Sequence, residues 1–286
     1  MIMARVLRWT GYVLGGLAVI AIGAALFVWA ASDMKRTEIA ARPERLATPT
    51  PAQLADGPRQ LRVLGCLSCH GDMLRGDLFM DEPDVATIYA PNLTLVAAKA
   101  SDQQLAQAIR QGIGHDGRPL LVMPSEGYQF MTDSEVAALI AAIRTIPKGG
   151  RDTPGATLGV KGRVGLVIGK FHTAPELVET YRESPPADFG PQFATGRHIV
   201  AVNCAECHGP NLQGKEVKPG SVAPDLSIAG AYDLDQFKTL LRTGVPPGGK
   251  KLGMMASVAR DDFSHLKEEE IAAIHAYLVE RARRAP

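Results

Sequence analysis

The sequence has few of the features that would point to a specialised surface. It contains only four cysteines, 6% aromatic residues and a formal net charge of +1. A charge balance this close to neutral gives no basis for binding nucleic acid or any strongly charged partner. A hydrophobic content of 46% with 21% charged residues is typical of a folded chain and excludes a largely disordered one.

The sequence also lacks strand signals. No convincing run alternates apolar and polar residues over the roughly four to eight positions that indicate a half-buried strand. Instead, the sequence shows helical patterns that begin with capping boxes. Ser101 stands three residues before Gln104, and Thr132 stands three residues before Glu135. The predicted helices cover 56–64, a segment opening at Ser101, 132–145, 193–202, 233–243 and 267–283. The fold class predicted from these patterns is all-α, with long loops.

No cysteine is left over for a structural disulfide, because the four lie in two segments, 66–70 and 204–208, that each read Cys-x-x-Cys-His. Thiols three positions apart lie on one side of a helical turn. Both can therefore form thioether bonds to the two vinyl groups of one haem, with the histidine beneath the iron. The assigned attachment residues are Cys66, Cys69, Cys204 and Cys207, and the iron ligands are His70 and His208.

Two other interpretations of these segments are weaker. A zinc site would have to join cysteine pairs that are much farther apart than ordinary zinc spacings, and it leaves both histidines unexplained. A thioredoxin-like redox pair requires alternating strands and helices, and the sequence does not predict them. The cofactors predicted here are two covalently bound haem c groups.

An internal repeat surrounds the two segments, and its elements follow one order in both halves. The paired elements are Cys-His-Gly-x-x-Leu-x-Gly at 69–76 and 207–214, Ala-Pro-Asn/Asp-Leu at 90–93 and 223–226, Arg-x-Gly at 110–112 and 242–244, and a capped closing helix at 132–145 and 267–283. The repeat predicts two domains, at 51–147 and 188–286. Residues 148–187 between them are rich in Gly and Pro, which indicates a linker. Within it, 163–171 is apolar enough to pack against one of the domains.

The N-terminal part, 1–33, is predicted to be a membrane anchor. It carries no charged residue from Trp9 to Ala31, which exceeds the roughly 20 residues that a spanning helix needs. Trp9 and Trp29 lie near its ends, where aromatic rings favour the membrane interface. A cleaved signal peptide is the alternative, although its apolar region usually covers only about 7–15 residues.

The repeat also selects the second iron ligands. Met123 and Met255 stand at the same distance after Gly112 and Gly244, so we predict that each lies opposite the histidine of its half. The nearest rival of Met255 is Met254. Weaker rivals are Met131, Met80, His115, His198, His265 and His275.

Two further pairs are candidate cofactor contacts. A histidine ligand usually donates its second N–H to an acceptor, and the carbonyls of Pro91 and Pro224 are predicted to accept it. Arg110 and Arg242 either pair with haem propionates or lie at helix C-termini, where a cation is favourable.

With these motifs in place, the sequence resembles tandem class I cytochrome c domains, and most closely the membrane-bound cytochrome subunits of bacterial dehydrogenases. The resemblance implies an electron carrier or electron-transfer subunit rather than an enzyme. It also implies a single span in the bacterial inner membrane, with both haem domains in the periplasm. The implied donor is a dehydrogenase or a quinol-oxidising complex, and the implied acceptor is a soluble cytochrome or a terminal oxidase. The alternatives are a two-haem peroxidase-like enzyme and an integral two-haem subunit of a haem–copper oxidase.

Overall fold

The computed structural model describes residues 2–218 and 220–284, and it is mostly helical, with 59% of residues in helices. The α-helices are α1 (Ile2–Met34), α2 (Pro51–Val63), α3 (Cys66–His70), α4 (Leu93–Lys99), α5 (Asp102–Gln111), α6 (Ser125–Tyr128), α7 (Asp133–Thr145), α8 (Val160–Val167), α9 (Ala174–Glu183), α10 (Ala194–Asn203), α11 (Ala205–His208), α12 (Leu234–Thr243), α13 (Met254–Asp261) and α14 (Glu268–Arg284). The strands are β1 (Asp77–Glu82), β2 (Ala86–Ala90), β3 (Ala156–Leu158), β4 (Lys215–Lys218) and β5 (Ser221–Ala223).

These strands correct the predicted all-α fold. β1 and β2 form an antiparallel hairpin to which β3 adds a third strand, and β4 and β5 form a second hairpin. Each hairpin directly follows one Cys-x-x-Cys-His segment and leads the chain back towards it. The sequence gives little sign of them, because β1 is almost wholly exposed and β4 reads Lys-Glu-Val-Lys.

The helix caps agree with the sequence prediction. The Ser101 hydroxyl accepts a hydrogen bond from the Gln104 backbone N–H at 3.2 Å, and Thr132 does the same for Glu135 at 3.3 Å. α2 begins five residues before its predicted start, because Thr50 forms another capping box there.

Each half is built around a large apolar core. The first core lies among α2, α5 and α7 and includes Leu61, Cys66, Leu105, Ile109, Leu139 and Ile140. The second core lies among α10, α12 and α14 and includes Val200, Phe237, Leu241, Ile271, Ile274 and Tyr277. Both cores reach their attachment segment, since Cys66 belongs to the first and Cys204 packs against the second.

Residues 148–187 are folded, which differs from the predicted linker. They contain β3, α8 and α9. Leu158 and Leu166 are buried with Ala86, Ile88 and Leu121 in a small core. The predicted packing of 163–171 is therefore confirmed, and α9 packs against α6 of the first half. Hydrogen bonding to β2 and this small core stabilise a segment whose composition resembles a loop.

By its length and composition α1 could cross a membrane, since its most apolar window has a mean hydropathy of 2.4. A signal sequence near the N-terminus meets the same criteria. The most apolar stretch of α1 makes no buried contact within the described residues. Among the described residues, the C-terminal end of α1 is the part that packs against the rest of the protein, at α8.

After α1, residues 35–50 form an extended segment that packs along the first half. The Ile39 N–H donates to the Gly117 carbonyl at 3.0 Å, and the Arg42 N–H donates to Oε1 of Gln111 at 2.8 Å. The segment that follows the apolar helix is thus part of the fold.

Candidate functional site

The first attachment segment forms α3, immediately after α2. Cys66 and His70 are buried, while Cys69 is partly exposed. The His70 Nδ1–H donates to the Pro91 carbonyl at 2.8 Å. A carbonyl can only accept, so this contact places the proton on Nδ1 and leaves Nε2 as a free electron-pair donor.

The second segment has the same arrangement. His208 ends α11 and is buried, and its Nδ1–H donates to the Pro224 carbonyl at 2.8 Å. In each half, the imidazole Nδ1–H therefore donates to a backbone carbonyl while Nε2 has a free electron pair. A histidine that serves as a metal ligand is oriented in this way.

The turn after each histidine explains how the proline carbonyls reach it. The Gly76 N–H donates to the His70 carbonyl at 2.8 Å, and the Gly214 N–H donates to the His208 carbonyl at 2.7 Å. Both glycines have a φ of +86°. A Cβ on Gly214 would lie 2.6 Å from the Ala223 carbonyl oxygen. Only glycine allows the two segments to approach this closely.

Burial sets the protonation states of the site. It raises the pKa of the Cys66, Cys204 and Cys207 thiols to about 12 and that of Cys69 to about 11. Reactive redox cysteines and zinc ligands require a thiolate, so these environments do not suit either role. Burial also lowers the pKa of both histidines, which keeps the imidazoles neutral.

The methionines predicted as second ligands lie at their respective cores. Met123 packs against the first core and Met255 against the second. Met254 is 51% exposed, which leaves Met255 as the inward-facing member of that pair. Met123 lies in a loop, whereas Met255 lies in the first turn of α13.

The rival ligands have other partners or positions. Met131 is buried in the first core, and Met80 packs against the small core. His198 Nε2 lies 2.9 Å from Glu135 Oε1, and His275 Nε2–H donates to a backbone carbonyl. The remaining rivals are the exposed His115 and the half-buried His265.

Arg110 and Arg242 occupy equivalent positions, and both bind protein acceptors. Arg110 donates to Asp133 at 2.8 Å and also to Glu44, while Arg242 donates to Glu268 at 2.9 Å and to the Ser264 carbonyl. Each arginine links the end of one helix to the start of the closing helix of its half. These contacts favour the helix-end role over propionate binding.

The first attachment segment contacts the second half of the chain, which the sequence did not predict. The Ser68 hydroxyl, inside the first segment, donates to Asp262 Oδ1 of the second half at 2.5 Å. Glu206, inside the second segment, is close enough for its charge to contribute to the raised pKa of Cys69. Tyr128 packs in the first core with Cys66 and donates its hydroxyl to the Leu64 carbonyl. Ser68 and Glu206 occupy the same position of the two Cys-x-x-Cys-His segments but differ in residue type, so the repeat gave no signal for these contacts.

Glu126 is the most unusual side chain in this region. It is 3% exposed, and among the described residues no group donates a hydrogen bond to its Oε2. Burial, with the neighbouring Glu206 carboxylate as the second cause, raises the pKa of Glu126 to about 7. A carboxyl in such surroundings favours its neutral form.

The residues of both halves fit a c-type haem. Each half offers two protonated thiols on one helical turn, a neutral imidazole held by a carbonyl, and a thioether at the same core. Cys66 belongs to the first core and Cys204 packs against the second, so the two cysteine pairs lie at different cores.

Comparison with known proteins agrees with this chemistry. Residues 193–282 match the family model for cytochrome c. The fructose dehydrogenase cytochrome subunit of Gluconobacter japonicus is 26% identical over 280 residues, which cover 85% of this chain and 56% of that subunit. The chain thus spans about half the length of this curated relative. The matched residues, 193–282, include the second attachment segment and correspond to a cytochrome c domain.

Proposed function

We propose that this chain is a membrane-anchored periplasmic cytochrome c with two covalently bound haems, one in each half, that relays electrons from a dehydrogenase to a high-potential acceptor. The duplicated site carries the proposal. Both halves hold a histidine through a proline carbonyl at 2.8 Å and present a cysteine pair and a methionine at the same core.

Each residue type has a defined task in this proposal. When bound, a c-type haem supplies one-electron redox chemistry at its iron. The cysteines of each half would fix its position, and His70 and His208 would coordinate through Nε2. Met123 and Met255 would each supply a thioether sulfur as the second protein ligand, and a His–Met pair raises the reduction potential.

The proximity of the two attachment segments supports a relay through the chain. The Ser68–Asp262 hydrogen bond joins the first segment to the second half, and Glu206 of the second segment is close enough to Cys69 for its charge to affect the pKa of that thiol. Two redox centres in neighbouring segments of one chain would exchange electrons without a diffusion step. The chain's part in this process is to fix their separation.

The partners are proposed by similarity. The relative is named as the cytochrome subunit of a fructose dehydrogenase, which supports a dehydrogenase as the electron donor. A quinol-oxidising complex is the other donor to test, and a soluble cytochrome or a terminal oxidase would be the acceptor.

Contacts at the end of α1 support an anchor that is retained. Arg163 of α8 donates to Ser32 at 2.7 Å, and its guanidinium lies 3.8 Å from the centre of the Trp29 ring. A cleaved signal peptide has no need of such specific contacts with the mature fold.

The test is the number of haems in the protein purified from bacterial membranes. Pyridine haemochrome analysis should give two haems per chain. The double variant Cys204→Ser/Cys207→Ser and its counterpart Cys66→Ser/Cys69→Ser should each retain one. A single haem in the wild type, or a count that either double variant leaves unchanged, would contradict the proposal.

A further inference from the structure

α8 presents an apolar stripe beside the end of the membrane helix. Val160, Val164 and Ile168 follow one another at four-residue intervals, so they share one face of the helix and its C-terminal extension. Val160 is 71% exposed and Ile168 is 63% exposed, while Val164 is half-buried. The opposite side of α8 holds Leu166 in the small core. The stripe therefore faces away from the protein.

The position of α8 relative to α1 is fixed by several contacts. Arg163 donates to Ser32 Oγ and to Asp33 Oδ1, both at 2.7 Å, and Ser32 is fully buried by this contact. Arg36, just beyond α1, donates to the Ala156 carbonyl of β3 at 3.3 Å. α8 and β3 are thus held at the C-terminal end of α1.

This end of α1 lies where a spanning helix would leave the bilayer. Trp29 lies close to it, and tryptophan rings favour the membrane interface. Arg163 packs on that ring at 3.8 Å, so α8 lies at the depth of the lipid headgroups. Lys161, which follows Val160 and donates to Asp84 at 2.9 Å, and Lys170, two residues after Ile168, are both exposed. Apolar residues flanked by lysines suit a helix that lies in the plane of the interface.

We propose that α8 rests on the lipid bilayer that α1 spans, with Val160, Val164 and Ile168 in contact with lipid. The inference rests on the proposed membrane anchor. It adds that the haem-bearing part of the chain does not swing freely on a tether but is held against the membrane at a second point.

Spin labels on single introduced cysteines test this contact. In the haem-loaded full chain the four native cysteines are consumed in thioether bonds, so a new cysteine is the only free thiol. Val160→Cys and Ile168→Cys place labels on the stripe. Val222→Cys, in β5 of the second half, is a matched control because Val222 is 70% exposed. Leu17→Cys places a label in the middle of α1.

The variants are reconstituted in vesicles of phosphatidylcholine and phosphatidylglycerol. The accessibility of each label to oxygen, which concentrates in lipid, is compared with its accessibility to a water-soluble nickel complex. The ratio of oxygen to nickel accessibility should be several-fold higher at positions 160 and 168 than at 222. It should be highest at position 17.

Two results would overturn the contact of α8 with lipid, and a third would refute the membrane anchor on which it rests. Labels at 160 and 168 that match the label at 222 would mean that α8 faces water. Low accessibility to both reagents at 160 and 168 would mean that protein covers the stripe. A water-exposed label at 17 would instead refute the anchor, and so the membrane part of the proposed function. A lipid-exposed label at 17 with water-exposed labels at 160 and 168 refutes the contact of α8 alone.

Discussion

Gly214 provides a sharp test of the site geometry, because the turn that contains it positions the partner of His208. Its φ of +86° suits glycine, and a Cβ at this position would lie 2.6 Å from the Ala223 carbonyl oxygen and 2.9 Å from the Asp225 nitrogen. These two atoms flank Pro224, whose carbonyl binds His208. Gly214→Ala should therefore disturb both the turn and the orientation of the histidine.

The expected magnitude has two parts. A residue other than glycine in the left-handed region costs about 1–2 kcal/mol. Overpacking against atoms that cannot move away adds about 1–3 kcal/mol. Gly249→Ala is a matched control, because Gly249 has a φ of +72° in the same half but has nothing within 4 Å of its added Cβ. The control should show only the first part.

The assay is denaturant unfolding of the detergent-solubilised protein, followed by helical circular dichroism, together with the haem content and the sulfur-to-iron charge-transfer band. Gly214→Ala should unfold at a lower denaturant concentration than Gly249→Ala, and the band of one haem should weaken. If the two variants have equal stability and unchanged spectra, the proposed role of the turn in holding Pro224 against His208 is wrong.

Three further predictions concern ligand choice, pH and the arginines. Met255→Ala should abolish the charge-transfer band of one haem while Met254→Ala retains both bands, and the reverse result would mean that the exposed Met254 is the ligand. Because burial raises the pKa of Glu126 from its ordinary 4.5 to about 7, the folded protein holds this proton more tightly than the unfolded chain does. The free energy of unfolding should therefore fall as the pH rises from about 4.5 to 7. Glu126→Gln should remove this pH dependence, which amounts to up to roughly 3 kcal/mol at 1.36 kcal/mol per pKa unit. Denaturant titrations of the wild type and the variant at about pH 5 and about pH 8 check this. If the free energy of unfolding changes equally in the two proteins between these pH values, the prediction is wrong. Arg110→Met should lower the free energy of unfolding by about 3 kcal/mol, because it leaves the buried Glu44 without its cation. The reduction potentials from a redox titration should not change, and a shift in them would favour the propionate interpretation.

Much of the site follows from the sequence, because the repeat encodes it twice. The Cys-x-x-Cys-His segments and the Ala-Pro-Asn/Asp-Leu segments define a short local geometry, and the expected hydrogen bonds of His70 and His208 to the proline carbonyls are present. The helix caps at Ser101 and Thr132 were predictable for the same reason, since a cap depends on residues only three positions apart.

Apart from the two local hairpins, whose exposed and charged strands give little signal, the features that were missed depend on distant parts of the chain. β3 was not predicted because its pairing with β2 joins residues far apart in the sequence. The contact of Ser68 with Asp262 joins the two halves and has no repeated counterpart. Composition suggested a linker at 148–187, but burial of Leu166 and strand pairing outweigh the local effect of its glycines and prolines.

The central claim is that each half holds an iron between an imidazole and a thioether. Near-infrared magnetic circular dichroism of the oxidised, membrane-purified protein tests it most directly, because His–Met and bis-His haems absorb in different regions. We expect two His–Met centres in the wild type and one each in Met123→Ala and Met255→Ala. A bis-His or high-spin signal from either half of the wild-type protein would contradict the claim.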